Sequence, residues 1–125
     1  MREFVSSSGI HIKVGENEKE NGFLIRHSHQ DFIWCHLKNR PSPHVVIESA
    51  EPDSDTISDA LQLVKWFSKA KNENSTNCII SKIRNLIRVD YQHPGLVQLK
   101  KAPVTKTVKV DFSELRRLGI DPSKQ

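Results

Sequence analysis

The sequence has only two cysteines, one methionine and one tyrosine in 125 residues. Cys35 and Cys78 are far apart, lie in strand-like segments and form no CxxC spacing. Neither a zinc ribbon nor a disulfide scaffold is expected, and both read as buried, reduced thiols. Apolar runs are short, and none approaches the length that spans a bilayer. Met1-Arg2-Glu3 leads straight into a polar segment, without the apolar stretch of an export signal. The expected setting is therefore the cytoplasm, with the nucleus left open, and no membrane partner. A Gly-rich phosphate loop, a GxSxG elbow and carboxylates paired at a catalytic spacing are all missing. No cofactor is expected.

What is present suits one small domain. Hydrophobic residues make up 36% and charged residues 27% of the chain, enough for a single core and too little for two. Residues 1–120 read as that domain and 121–125 as a short tail. The formal charge of +4 hides an asymmetry. Residues 1–67 hold seven Lys and Arg against ten Asp and Glu, whereas residues 68–125 hold twelve against five. A basic half of this kind points to a polyanion, most simply nucleic acid.

Periodicity predicts an α+β fold: a mixed, mostly antiparallel sheet built from hairpins, one principal helix over 56–70, and short flanking helices. Arg2 to Ser6 and Ile10 to Val14 form the first hairpin around Ser7-Ser8-Gly9. Asn17 followed by Glu20 is a capping arrangement for a short helix ending by His27, weakened by Gly22. Ile57, Ala60, Leu61, Val64 and Phe67 recur at three and four and make the principal helix, with those residues in the core. Cys78 to Ile80 and Ile83 to Val89 are strand-like, and Tyr91 to Gly95 is a turn. Leu96 to Leu99 and Thr105 to Val110 are expected to pair as a hairpin around Ala102-Pro103. Ser113 to Leu118 reads as a last helical turn stopped by Gly119.

The chemistry-bearing stretch is residues 32–49. Counting in twos places Phe32, Trp34 and His36 on one face of a strand. His44, Val46 and Glu48 alternate on the next, across the basic, proline-containing turn 38–43. Four readings are open for it. A metal site would need converging ligands, and neither His27-Ser28-His29 nor His36 with His44 has a zinc spacing. An acid–base pair of His36 and His44, or of His36 with Asp31 or Glu48, would fit imidazole chemistry and make the protein an RNA-acting enzyme. A nucleic-acid surface would combine stacking rings with cations, which Trp34, His36, His44, Lys38 and Arg40 supply. Lys69 and Lys71 add charge at the end of the principal helix. Lys82, Arg84 and Arg88, at even positions, could share one strand face. The fourth reading is a well-tied hairpin facing a protein partner, with Trp34 in the core.

The ordered set Asp31, Trp34, His36, then Pro41-Ser42 and His44-Val45-Val46-Ile47, resembles the signature of the NFACT-R domain. That domain is the RNA-binding module of the NFACT proteins of ribosome-associated quality control. The flanks agree: Ser8 to Asn17, Glu20-Asn21 with Leu24, Ser68 to Lys71, Asn85-Leu86, Arg88, Pro94 to Val97 and Lys106 to Val110. The resemblance covers roughly residues 3 to 111. Departures are the spacing of Asp31 from Trp34, Cys35 in place of an aromatic residue, Pro43 in place of a small one, and Gly22 in place of an acidic one. The family implies a non-enzymatic domain that binds tRNA or rRNA, with the large ribosomal subunit as a further candidate partner. It also adds Asn17 and Asn21 to the binding surface. The sequence contains none of the other segments of NFACT proteins, so a stand-alone member similar to the eukaryotic lone-domain proteins is expected.

Overall fold

The structure is a computed structural model describing residues 1–88 and 97–124, Arg88 by its backbone alone. The strands are β1 (Arg2–Val5), β2 (His11–Val14), β3 (Ile33–Leu37), β4 (Val45–Ile47), β5 (Thr76–Lys82), β6 (Leu86–Arg88), β7 (Val97–Leu99) and β8 (Val104–Val108). The helices are α1 (Glu18–His27), α2 (Ser54–Trp66) and α3 (Phe112–Arg117). Six strands form one sheet in the order β1-β2-β4-β3-β5-β8, and every pairing in it is antiparallel. The class is α+β, as the periodicity and the family resemblance indicate.

Both faces of the sheet are covered. On one face α2 packs Ala60, Leu61 and Val64 against Ile12, Val14, Cys35, Leu37, Val45 and Ile47, all buried. Ile57 and Phe67 contribute from the partly buried edge of that core. On the other face Leu24 of α1 closes over Trp34 and Val46, joined by Ile83, Leu86, Val97 and Leu99. Strand β3 therefore has apolar side chains on both sides, as a central strand should. No helix among the described residues is long and apolar enough to cross a membrane.

Three expectations are corrected. The principal helix stops at Trp66 instead of residue 70. Ser68 Oγ donates to the Lys65 carbonyl at 2.9 Å, and the Lys65 ammonium gathers the carbonyls of Ala70, Lys71 and Glu73 at 2.6, 3.2 and 2.6 Å. The chain must curl back to supply those acceptors, which ends the helix. The C-terminal hairpin does not form between its expected strands: β7 pairs with β6 in a separate two-stranded sheet, and β8 pairs with β5. Nor do Lys82, Arg84 and Arg88 share one strand, because a 3-10 turn at Ile83–Asn85 separates β5 from β6. The expected turn at Tyr91 to Gly95 lies outside the described residues.

Helix α1 runs through Gly22 and is capped as its sequence suggests, with Asn17 Oδ1 accepting from the Glu20 amide at 2.9 Å. Gly15 matters for a different reason. A Cβ there would lie 2.1 Å from Asn21 Oδ1, so only glycine lets the end of β2 approach α1 this closely.

Candidate nucleic-acid interface

The register of β3 against β4 sets Trp34 across from Val46 and Cys35 across from Val45, and just beyond it the rings of His36 and His44 meet. The three rings form one cluster. Trp34 and His36 stack with centroids 5.3 Å apart and planes 14° apart. His44 stands edge-on to both, at 5.6 Å from Trp34 and 4.9 Å from His36. Trp34 is buried, and its Nε1–H donates to His44 Nδ1 at 3.0 Å. His44 is itself only 3% exposed, so it supports the surface from within.

These contacts fix which ring nitrogen holds each proton. A carbonyl oxygen can only accept, so the 2.7 Å contact of His36 Nδ1 with the Leu37 carbonyl puts a proton on Nδ1. In neutral His36 the remaining nitrogen, Nε2, is then an acceptor. His44 is the opposite, with Nδ1 taken as the acceptor for Trp34. Burial holds the His36 pKa below the ordinary imidazole range, only partly offset by the Leu37 carbonyl.

A groove of about 880 Å3 opens over this cluster, lined by Trp34, His36 and His44, by Asn21 and Glu18 of α1, and by the turn residues Asn39 to Ser42. Leu37, Ile79, Val97 and Leu99 complete its apolar walls. The turn is held in shape by Ser42, whose Oγ accepts from the Leu37 amide at 3.0 Å. It also needs Asn39 at φ 55°, a left-handed conformation that asparagine tolerates. Asn21 Oδ1 accepts from the His44 amide at 3.2 Å, tying α1 to the same wall.

The cations are less available than their number suggests. Arg40 lines the groove but pairs with Glu73 at 2.8 Å. Arg84 is paired with Asp31, its Nε donating at 2.8 Å, and Lys82 precedes it at the end of β5. Lys38 is exposed in the turn. Lys69 lines a second cleft, of about 430 Å3, on the other side of the turn, where Arg40, Asn21 and Ser42 appear again. The Lys71 ammonium sits 3.8 Å over the Trp66 ring. Of the candidate residues, the structure therefore brings His36, His44, Arg40 and Asn21 to one groove and Lys69 to its neighbour. Asn17 acts as a helix cap, and the side chain of Arg88 lies outside the described residues. The carboxylates considered as partners of His36 are engaged elsewhere, Asp31 with Arg84 and Glu48 with Lys13.

Sequence reasoning missed the apolar walls and Lys65. Val97 and Leu99 alternate about Gln98, which marks a strand face, but nothing local says that the face turns toward Trp34. Lys65 reads as a solvated helix position, yet it is 1% exposed, with all three of its donors used by main-chain carbonyls.

Fold and site define a small α+β module with an aromatic groove beside a basic turn. The sequence profile of the NFACT protein RNA binding domain matches residues 1–101, and the chain belongs to that family. It is 41% identical over 95 residues to the Rqc2 homologue RqcH of Bacillus subtilis, and 30% identical over 105 residues to that of Streptococcus suis. The aligned parts are 75% and 82% of this chain but only 17% and 18% of those proteins. Among solved structures, the C-terminal part of the fibronectin/fibrinogen-binding protein of Streptococcus suis superposes with a TM-score of 0.85 at 25% identity. That match covers 93% of this chain and 47% of the other.

Proposed function

We propose that this chain is a non-enzymatic module that binds tRNA or ribosomal RNA in the cytoplasm, as part of ribosome-associated quality control. The observation that carries the reading is the groove over Trp34, His36 and His44, edged by a basic turn, in a chain of an RNA-binding family. Lys38, Arg40, Lys69, Lys71, Lys82, Arg84 and Arg88 are the candidate phosphate contacts, and His36, His44, Asn17 and Asn21 the candidate or supporting groups at the bases. The module reading holds whether the domain works alone or beside other NFACT segments, and the large ribosomal subunit is the candidate platform.

Salt dependence tests this directly. Each phosphate neutralised on a single strand contributes about 0.7 to the slope of log affinity against log salt. Lys71→Ala and Arg40→Ala should each flatten the slope whatever the RNA sequence, Arg40 less so because Glu73 already holds it. If both variants and the parent bind RNA alike at low salt, the polyanion reading fails and a protein-facing role replaces it. The acid–base reading has weaker support, since Leu37 and Trp34 each occupy one nitrogen of the two rings.

A further inference from the structure

The groove beside His36 differs chemically from the basic rim around it. Among the described residues its charged lining groups are Glu18 and Arg40, and Arg40 is already paired with Glu73. No lysine lines it among the described residues. A phosphate placed there would lose its water against Leu37, Ile79, Val97 and Leu99, a penalty that an aromatic heterocycle does not suffer.

The polar groups narrow the choice further. His36 Nδ1–H is committed to the Leu37 carbonyl, so Nε2 offers only a lone pair. A purely apolar occupant would bury that acceptor unpaired, which costs binding energy. Asn21 commits Oδ1 to the His44 amide, and its Nδ2 makes no hydrogen bond among the described residues. One acceptor and one donor beside the apolar wall of Leu37, Ile79, Val97 and Leu99 match the edge of a nucleobase. In a duplex those edges are already paired, whereas in a loop or single strand they are available.

We infer that the groove receives one unpaired nucleobase, which lies against the aromatic cluster and donates a ring or amino N–H to Nε2 of His36. This deepens the RNA-binding reading and rests on it. The phosphates of the same strand then fall outside, toward the turn and the Lys69 cleft.

A phosphate contact and a base contact at the histidines have opposite pH dependence. If the histidines faced phosphate, acidification through about pH 6.5 would tighten binding. With His36 as the acceptor, protonating Nε2 abolishes the hydrogen bond, so acidification weakens discrimination at the base. Among the described residues, the titratable groups sharing the groove with His36 are Glu18 from α1, His44 ahead of β4 and Arg40 from the turn. Discrimination between two ligands of equal charge cancels their general effect on RNA affinity.

The test compares three equally charged oligomers on the full chain at fixed salt: oligouridylate, oligo-N3-methyluridylate and an abasic ribose-phosphate chain. The abasic chain should bind about tenfold more weakly, as expected when a base loses its aromatic platform. The methylated oligomer, lacking the N3–H, should bind about fivefold more weakly. His36→Phe keeps a ring to stack on Trp34 and should bind both uridine oligomers alike, with the salt slope unchanged. Should that variant not fold, the parent decides the matter, because its preference for uridine over N3-methyluridine should fade as the pH falls below the ordinary imidazole range. Equal binding of the abasic and uridine oligomers with a steep salt slope overturns the base pocket, leaves the RNA reading intact, and makes an apolar protein side chain the occupant. Absence of binding to any oligomer at low salt overturns the RNA reading, and this inference with it.

Discussion

Trp34 Nε1 donates to His44 Nδ1 at 3.0 Å between two residues that are 1% and 3% exposed. The bond makes His44 a structural residue. His44→Ala should therefore leave a buried indole N–H without its acceptor and cost about 1–3 kcal/mol or more. Urea denaturation of His44→Ala, Trp34→Phe and the double variant should give a coupling of about 1 kcal/mol or more between the two positions. Additive losses would show that the bond contributes nothing.

Leu61 tests the assigned face of α2. It is 5% exposed in the larger core, and Leu61→Ala should destabilise by about 2–5 kcal/mol. A loss below about half a kcal/mol in chemical denaturation would contradict the packing.

How much of this was legible beforehand depended on distance along the chain. The first hairpin, the Asn17 cap, α1 and the apolar stripe of α2 are local patterns, and they appear where the sequence places them. The partners of β7 and β8 are not local. Val104–Val108 crosses to β5, and Val97–Leu99 turns to β6, because the sheet edge and the Trp34 face are created by other parts of the chain. The same applies to charge. Arg40 and Arg84 look like free cations in one dimension, and only folding brings Glu73 and Asp31 to them. Trp34, His36 and His44 were legible as one face because alternation in a hairpin settles it. Their hydrogen bonds, and hence their protonation, were not.

Glu114 predicts a pH dependence. Burial, and the Asp59 carboxyl beside it, raise its pKa from 4.5 to about 7. A carboxyl with a raised folded-state pKa binds its proton more tightly in the folded protein. This contribution is therefore fully present below about pH 4.5 and is lost as pH rises through about 7. Urea midpoints of the parent should fall relative to those of Glu114→Gln between pH 5 and pH 7.5. A constant difference would place Glu114 in water. The docking of α3 on α2 should persist throughout, since Arg117 grips the buried Asp59 with two hydrogen bonds of 2.9 and 3.2 Å.

Gly15 and Asn21 yield a fourth test. Gly15→Ala drives a Cβ into Asn21 Oδ1 and should cost about 1–3 kcal/mol as overpacking. It should also weaken RNA binding beyond what the stability loss explains, because Asn21 forms part of the groove wall. Gly15→Ala combined with Asn21→Ala relieves the clash but leaves the His44 amide without its acceptor, so it should recover only part of the stability and leave affinity low. Recovery of both would remove Asn21 from the site.

Lys65 holds the 68–73 loop through main-chain oxygens of Ala70, Lys71 and Glu73 and through none of their side chains. Position 71 is thus held by its main chain alone, whereas Ala70 is buried in the core and Ser68 and Glu73 also use their side chains. Reversing the charge at 71 changes the electrostatic face shown to a partner while the Lys65 contact to its carbonyl remains, and exchanging Glu73 for a neutral residue releases Arg40. The rim can in this way be retuned to a different polyanion one substitution at a time.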